Sequence, residues 1–145
     1  MQKMWILLVI LLVLAAHFNL AALVPLQIGD DPPPWWVGGQ LLWPFAEEAD
    51  TLLLSRDGRN ALAPILGITS GVCFLMAAAA LLRWRVPRKW FAWLTVAGAV
   101  FSIALQLIWF TGWAVLPLLV DAVLLWLIFS KRVSVDSLRG PASRA

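Results

Sequence analysis

Four uninterrupted apolar runs divide the chain, at about 5–24, 61–82, 90–110 and 113–130, with a more polar stretch at 25–60 and a short polar tail at 133–145. Each run is long enough to cross a hydrocarbon core of about 30 Å at a rise of about 1.5 Å per residue, so each reads as a spanning α-helix. The pattern predicts an all-α polytopic membrane protein: a single four-transmembrane-helix bundle over 1–132, followed by a disordered cytoplasmic tail.

The boundaries of the runs carry their own signals. The first is preceded by Lys3 and followed by Pro25. It exceeds the apolar core of about 7–15 residues usual in a signal peptide and has no clear small-x-small cleavage site before Leu26, so it is read as a retained span. Asn60 is a candidate N-cap for the second, which places Pro64 in that helix's first turn, where a missing N–H costs least. Thr111 and Gly112 predict a tight reversal that lays the fourth helix antiparallel to the third. Within the 25–60 segment, Asp31-Pro32-Pro33-Pro34 is stiff and extended. Leu41, Leu42, Phe45, Leu52 and Leu53 suit a short helix lying on the membrane surface, with Glu47, Glu48 and Asp50 facing water.

Charge orients the bundle. The 25–60 segment carries six acids (Asp30, Asp31, Glu47, Glu48, Asp50, Asp57) against two bases (Arg56, Arg59). The linker after the second run holds Arg83, Arg85, Arg88 and Lys89 without an acid, and the tail after Ser130 holds Lys131, Arg132, Arg139 and Arg144 against Asp136. With Lys3, every basic cluster lands on one side after four crossings, which by the positive-inside rule is the cytoplasm. Both termini are therefore expected inside the cytoplasmic (inner) membrane and the 25–60 loop outside. The 10 tryptophans support the same layout, because the indole ring prefers the headgroup level. Trp5, Trp84, Trp90 and Trp93 fall at the inner boundary, Trp35, Trp36, Trp43, Trp109 and Trp113 at or beyond the outer one, and only Trp126 sits deeper.

Composition narrows the function. Of the chain, 62% is hydrophobic and 13% charged, against about 45–50% and about 25% in soluble domains. Cys73 is the single cysteine, so an intrachain disulfide, a thiol relay and a cysteine-rich metal site are all excluded. No Ser-His-Asp set, zinc-binding His/Glu spacing or Gly-rich phosphate loop is present, which argues against a hydrolase or nucleotide enzyme. No metal or cofactor is expected. The basic clusters flank spans and belong to no groove-reading module, so nucleic acid is not implied.

The candidate chemistry lies in polar side chains inside the spans: His17, Asn19, Thr69, Ser70, Thr95, Ser102, Gln106 and Asp121. Residues three or four apart share a helix face. Thr95, Gly98, Ser102 and Gln106 form one stripe, Gly67, Ser70, Gly71 and Ala78 a second, and Ala114, Pro117 and Asp121 a third. Gly67, Gly71 and Gly98 allow close helix approach. Pro117 frees the Trp113 carbonyl and predicts a kink. The expected polar cluster is Asp121, Gln106, Ser102, Thr69, Ser70 and His17, in a pocket open toward the outside. His17 and Asn19 point in opposing directions, and His17 is taken as the inward one because Asn19 lies nearer the headgroups. No Lys or Arg lies within any span to pair with Asp121. A protonated acid donating to Gln106, Ser102 or Thr69 is its expected resting form, serving as a proton relay, a cation site or a structural tie.

The closing helix, Leu118-Leu119-Val120-Asp121-Ala122-Val123-Leu124-Leu125 after a short turn, resembles the last span of uncharacterised small four-helix bacterial membrane proteins. That resemblance covers the layout of the three C-terminal spans and implies a bacterial cytoplasmic membrane. It brings no activity or site residue with it. Three functions remain as expectations. The first is a non-enzymatic accessory or interaction subunit with a membrane protein partner or a second copy of itself. The second is a small transporter or channel component using Asp121 for a proton or cation. The third is a pigment- or haem-associated subunit using His17 as its one ligand.

Overall fold

The computed structural model describes residues 4–23, 56–110 and 112–139, and all regular structure within them is helical. The helices are α1 (Met4–Leu20), α2 (Arg56–Leu81), α3 (Phe91–Ile108), α4 (Val115–Phe129) and the short α5 (Val135–Arg139). Single 3-10 turns extend α1 at Ala21–Leu23 and lead into α3 at Arg88–Trp90 and into α4 at Gly112–Ala114. Three helical segments, Met4–Leu23, Ala61–Leu81 and Arg88–Ile108, are long and apolar enough to cross a bilayer, and the shorter apolar α4 packs with them. The chain is thus a multi-pass membrane protein.

Two predicted boundaries move. Asn60 is not an N-cap: α2 begins at Arg56, so Asn60 and Pro64 both lie inside it. Pro117 sits in the first turn of the α-helix, directly after the 3-10 turn Gly112–Ala114, where its missing N–H interrupts no bond of the helix interior. The expected surface helix and polyproline segment of the first loop lie outside the described residues.

Small residues decide how α2 sits between α1 and α3. A Cβ on Gly67 would stand 2.7 Å from the Asn19 carbonyl oxygen, and one on Gly71 would stand 2.6 Å from Leu20 Cγ. Only glycine lets α1 lie this close. On the other side of α2, Phe74 fills the space over Gly98, where a Cβ would meet its ring at 2.9 Å. One turn away, Ser70 Oγ donates to the Gly98 carbonyl at 2.8 Å. Helix α3 packs in turn on α4, which returns to touch α1. The core between them holds Leu8, Leu12, Phe18, Phe74, Leu81, Phe91, Val120 and Leu124. Large apolar side chains such as Ile6, Leu7, Ile10, Ile65, Val72, Val100, Leu107 and Leu119 point outward, as a surface in contact with lipid tails requires.

The ends of α2 and α4 show why basic residues gather there. Arg83 takes a left-handed φ of 62° while its N–H reaches the Ala80 carbonyl at 3.1 Å and that of Trp84 reaches Ala79 at 2.8 Å. This pair of bonds closes the last turn of α2 as a Schellman cap. Arg132, just past α4, is also left-handed at 48°. Arginine pays about 1–2 kcal/mol for a conformation that glycine adopts freely. Its charge beside the negative end of a helix offsets part of that cost.

Residues 133–139, expected to be disordered, are folded. Ser134 and Ser137 cap α5 reciprocally, through Ser134 N–H to Ser137 Oγ at 2.9 Å and Ser137 N–H to Ser134 Oγ at 3.2 Å. Val133, Val135 and Leu138 join the main core, and Asp136 pairs with Arg88 of the preceding linker. The three apolar residues, spaced to share a face, outweigh the polar average of the segment. The rest of the tail, 140–145, lies outside the described residues.

Candidate functional site

Six polar side chains are buried among the described residues: Asn19, Ser70, Thr95, Ser102, Gln106 and Asp121. Two are accounted for by helix carbonyls. Thr95 donates to Phe91 in its own helix at 2.8 Å, and Ser70 ties α2 to Gly98 of α3. Ordinary structural hydrogen bonds explain both.

Of the other four, Asn19 of α1 and Asp121 of α4 both lie against Ser102 of α3, and Gln106 is one turn further along α3. Asn19 Nδ2 donates to the Ala15 carbonyl at 2.8 Å and to Ser102 Oγ at 3.0 Å. Both donations fix the amide so that Oδ1 is the free end, and Oδ1 has no hydrogen-bond partner. The Asp121 carboxyl lies close enough to Ser102 to interact with its hydroxyl, although neither carboxyl oxygen meets strict hydrogen-bond geometry. Gln106, one turn from Ser102 on the same face of α3, leaves both Nε2 and Oε1 unpartnered. Asn19, Ser102 and Gln106 are 0% exposed and Asp121 is 1% exposed. Each such orphaned group costs about 1–3 kcal/mol, so several of them in one bundle interior call for an explanation beyond helix packing.

The site differs from the expected one in three ways. His17 does not enter it: the imidazole is on the exposed face of α1, and Asn19 takes the inward place. The inward stripe of α1 is Leu8, Leu12, Ala15, Ala16 and Asn19. The two alanines were the available signal, since small residues mark the faces along which membrane helices approach. Thr69 is also outside the cluster, its hydroxyl turned back to the Ile65 carbonyl of its own helix at 2.7 Å. Lastly, the cluster is enclosed, where a pocket open to one side was expected. Trp109, expected at the outer boundary, is buried with Ala21, Ala63 and Leu105 in an apolar group at the same end of the bundle.

The packing residues fall into two classes. Gly67, Gly71 and Gly98 are each held against a neighbouring helix, and Pro117 is buried at the start of α4, one turn from Asp121. Cys73 is half-buried and free. No group of three or more His, Cys, Asp or Glu side chains that could hold a metal occurs among the described residues. His17, the one candidate haem or pigment ligand, lies on the outer surface of α1 beside Val9, Ile10, Val13 and Leu14. Compared with known proteins, the chain matches no family model, no curated protein and no solved structure at a significant level, so its likeness to other small membrane proteins stops at three long apolar helices and a shorter one.

Proposed function

We propose that this protein is a small transporter or channel component of the cytoplasmic membrane, crossing it four times with both ends inside, and that Asp121 is its proton- or cation-binding group. The observation that carries this reading is the unpartnered state of Asp121, Gln106 and the Asn19 carbonyl oxygen in the bundle interior. A purely structural tie between helices would use its hydrogen bonds, as Ser70 does. A contact to a partner protein would place the acid on the outer surface. Asp121 does neither.

Topology supports the same reading. The basic residues Arg83, Arg85, Arg88, Lys89, Lys131 and Arg132 lie at the α2–α3 and α4–α5 connections, as the positive-inside rule asks of a cytoplasmic face. Four crossings place Asn19 and Gln106 toward the outer side and Asp121 near the middle. The fourth helix completes the set: its 15 residues span about 22 Å at a helical rise of about 1.5 Å, and local thinning or the preceding 3-10 turn covers the rest.

The test is proton and alkali-cation flux into sealed liposomes containing the purified protein, with Asp121→Asn as control. Flux that the substitution abolishes supports the reading. Wild-type protein that moves neither ion overturns it.

A second reading, an accessory subunit of a larger assembly, is favoured by His17. An imidazole exposed on an apolar helix face is costly in lipid and is relieved by a protein neighbour. Native mass spectrometry from gently extracted membranes separates the two, because a stoichiometric partner mass supports a subunit and a lone chain contradicts one.

A further inference from the structure

One end of the bundle is strongly basic. Arg83, Arg85, Arg88, Lys89, Lys131 and Arg132 gather at the α2–α3 and α4–α5 connections, and Asp136 is the one acid there among the described residues. The 3-10 turn Arg88–Trp90 that leads into α3 contributes to two concavities of different chemistry. The first, of about 210 Å³, sets Arg88, Lys89, Ser134 and Asp136 against an apolar wall of Ala92 and Val133. The second is a groove of about 350 Å³ lined by Trp90, Trp93, Leu94 and Ala97. These four are spaced to share one face of α3. Phe91, Thr95, Gly98 and Ser102 turn another face of that helix to the core, and both indoles are exposed, at 49% and 78%, so the groove opens to the bilayer.

Charge at the turn is unbalanced. Arg88 is paired with Asp136, whereas Lys89 is exposed and has no acid partner among the described residues. Its ammonium offers three donors to an anion. Trp90 and Trp93 mark the level at which headgroups meet acyl chains, because the indole ring prefers that boundary. The basic residue and the apolar groove therefore meet at the depth of the lipid phosphates. A free phosphate would use the charge alone, and a lipid without net charge would use the groove with little gain from Lys89. A phospholipid of net negative charge uses both.

We infer that the Arg88–Trp90 turn is a binding site for an anionic phospholipid, its phosphate on Lys89 and an acyl chain along Trp93, Leu94 and Ala97. The small side chain of Ala97 leaves the room that the chain fills. This site is separate from Asp121 and independent of its role.

Native mass spectrometry of the full chain, delipidated in detergent and titrated with phosphatidylglycerol or phosphatidylcholine of identical acyl chains, tests this. Phosphatidylglycerol is expected to bind about fivefold more tightly, the factor that one basic side chain contributes at a membrane surface. Lys89→Gln removes that preference, and Ala97→Phe, which fills the groove without changing charge, weakens binding of phosphatidylglycerol. Lys131 carries the same charge at the other connection, with its ammonium 5.1 Å from the centre of the Trp126 ring, and Lys131→Gln leaves the preference in place. Arg88 is intact in every variant, so the contact of α5 with the linker is kept. Equal losses from Lys89→Gln and Lys131→Gln would show diffuse attraction to the basic end and overturn the site. Equal affinity of the wild type for the two lipids would overturn it too, as would glycerol phosphate binding as tightly as phosphatidylglycerol.

Discussion

Asn19 Nδ2 reaches Ser102 Oγ at 3.0 Å, joining the end of α1 to the middle of α3 where Asp121 of α4 also lies. This bond fixes which end of the Asn19 amide faces the interior. It makes a residue near the end of an apolar run part of the protein's most unusual feature. Hydrogen bonds between membrane helices contribute about 0.6 kcal/mol on average and up to about 1.7 kcal/mol. Replacing Asn19 by Leu is expected to cost about 1–2 kcal/mol, by loss of this bond and by crowding against Ser102. Reversible unfolding in mixed micelles reads the change.

His17 gives the matching control. Its side chain is exposed on the opposite face of α1, so His17→Leu should leave unfolding within about 0.5 kcal/mol of wild type, as surface changes do. The pair of substitutions, two positions apart, separates the inner and outer faces of α1. A large loss at position 17 and none at position 19 would reverse the assignment.

Gly71 is a stricter test of the packing. A Cβ there falls 2.6 Å from Leu20 Cγ and 2.8 Å from Cδ2, so Gly71→Val forces α1 away from α2. Overpacking of this sort costs about 1–3 kcal/mol. Gly112→Ala meets nothing within 4 Å and should be close to neutral. Equal effects at the two glycines, measured in the same unfolding assay, would mean that α1 does not approach α2 at Gly71.

The helical character of the chain was legible because apolar runs of spanning length have few alternatives in lipid. The same is true of Ser102, Gln106 and Asp121, which are polar residues with no reason to face the tails. Asn19 was not legible by that argument. Two polar residues, His17 and Asn19, competed for one inward face, and depth favoured the wrong one, while the alanines at 15 and 16 held the answer. Residues 133–139 were missed for a different reason. Average polarity hid Val133, Val135 and Leu138, whose shared burial depends on the linker they fold against.

That docked segment makes its own prediction. The Arg88–Asp136 pair is partly exposed, at 38% and 59%, so it contributes at most about 1 kcal/mol and weakens with salt. Leu138 is nearly buried, and Leu138→Ala should cost about 2 kcal/mol, toward the low end of large-to-small core changes. Hydrogen exchange at 135–139 should rise far more for Leu138→Ala than for Asp136→Asn. Equal effects would make the ion pair, and not the apolar face, the anchor of α5.

The central claim is that Asp121 is an exchanging site and not a dry structural tie. Infrared difference spectroscopy of the protein in liposomes addresses it directly, through the carboxyl signal that disappears in Asp121→Asn. The account predicts that this signal shifts on transfer to heavy water and responds to pH or to added alkali chloride. A carboxyl signal unmoved by heavy water, pH and salt would contradict it.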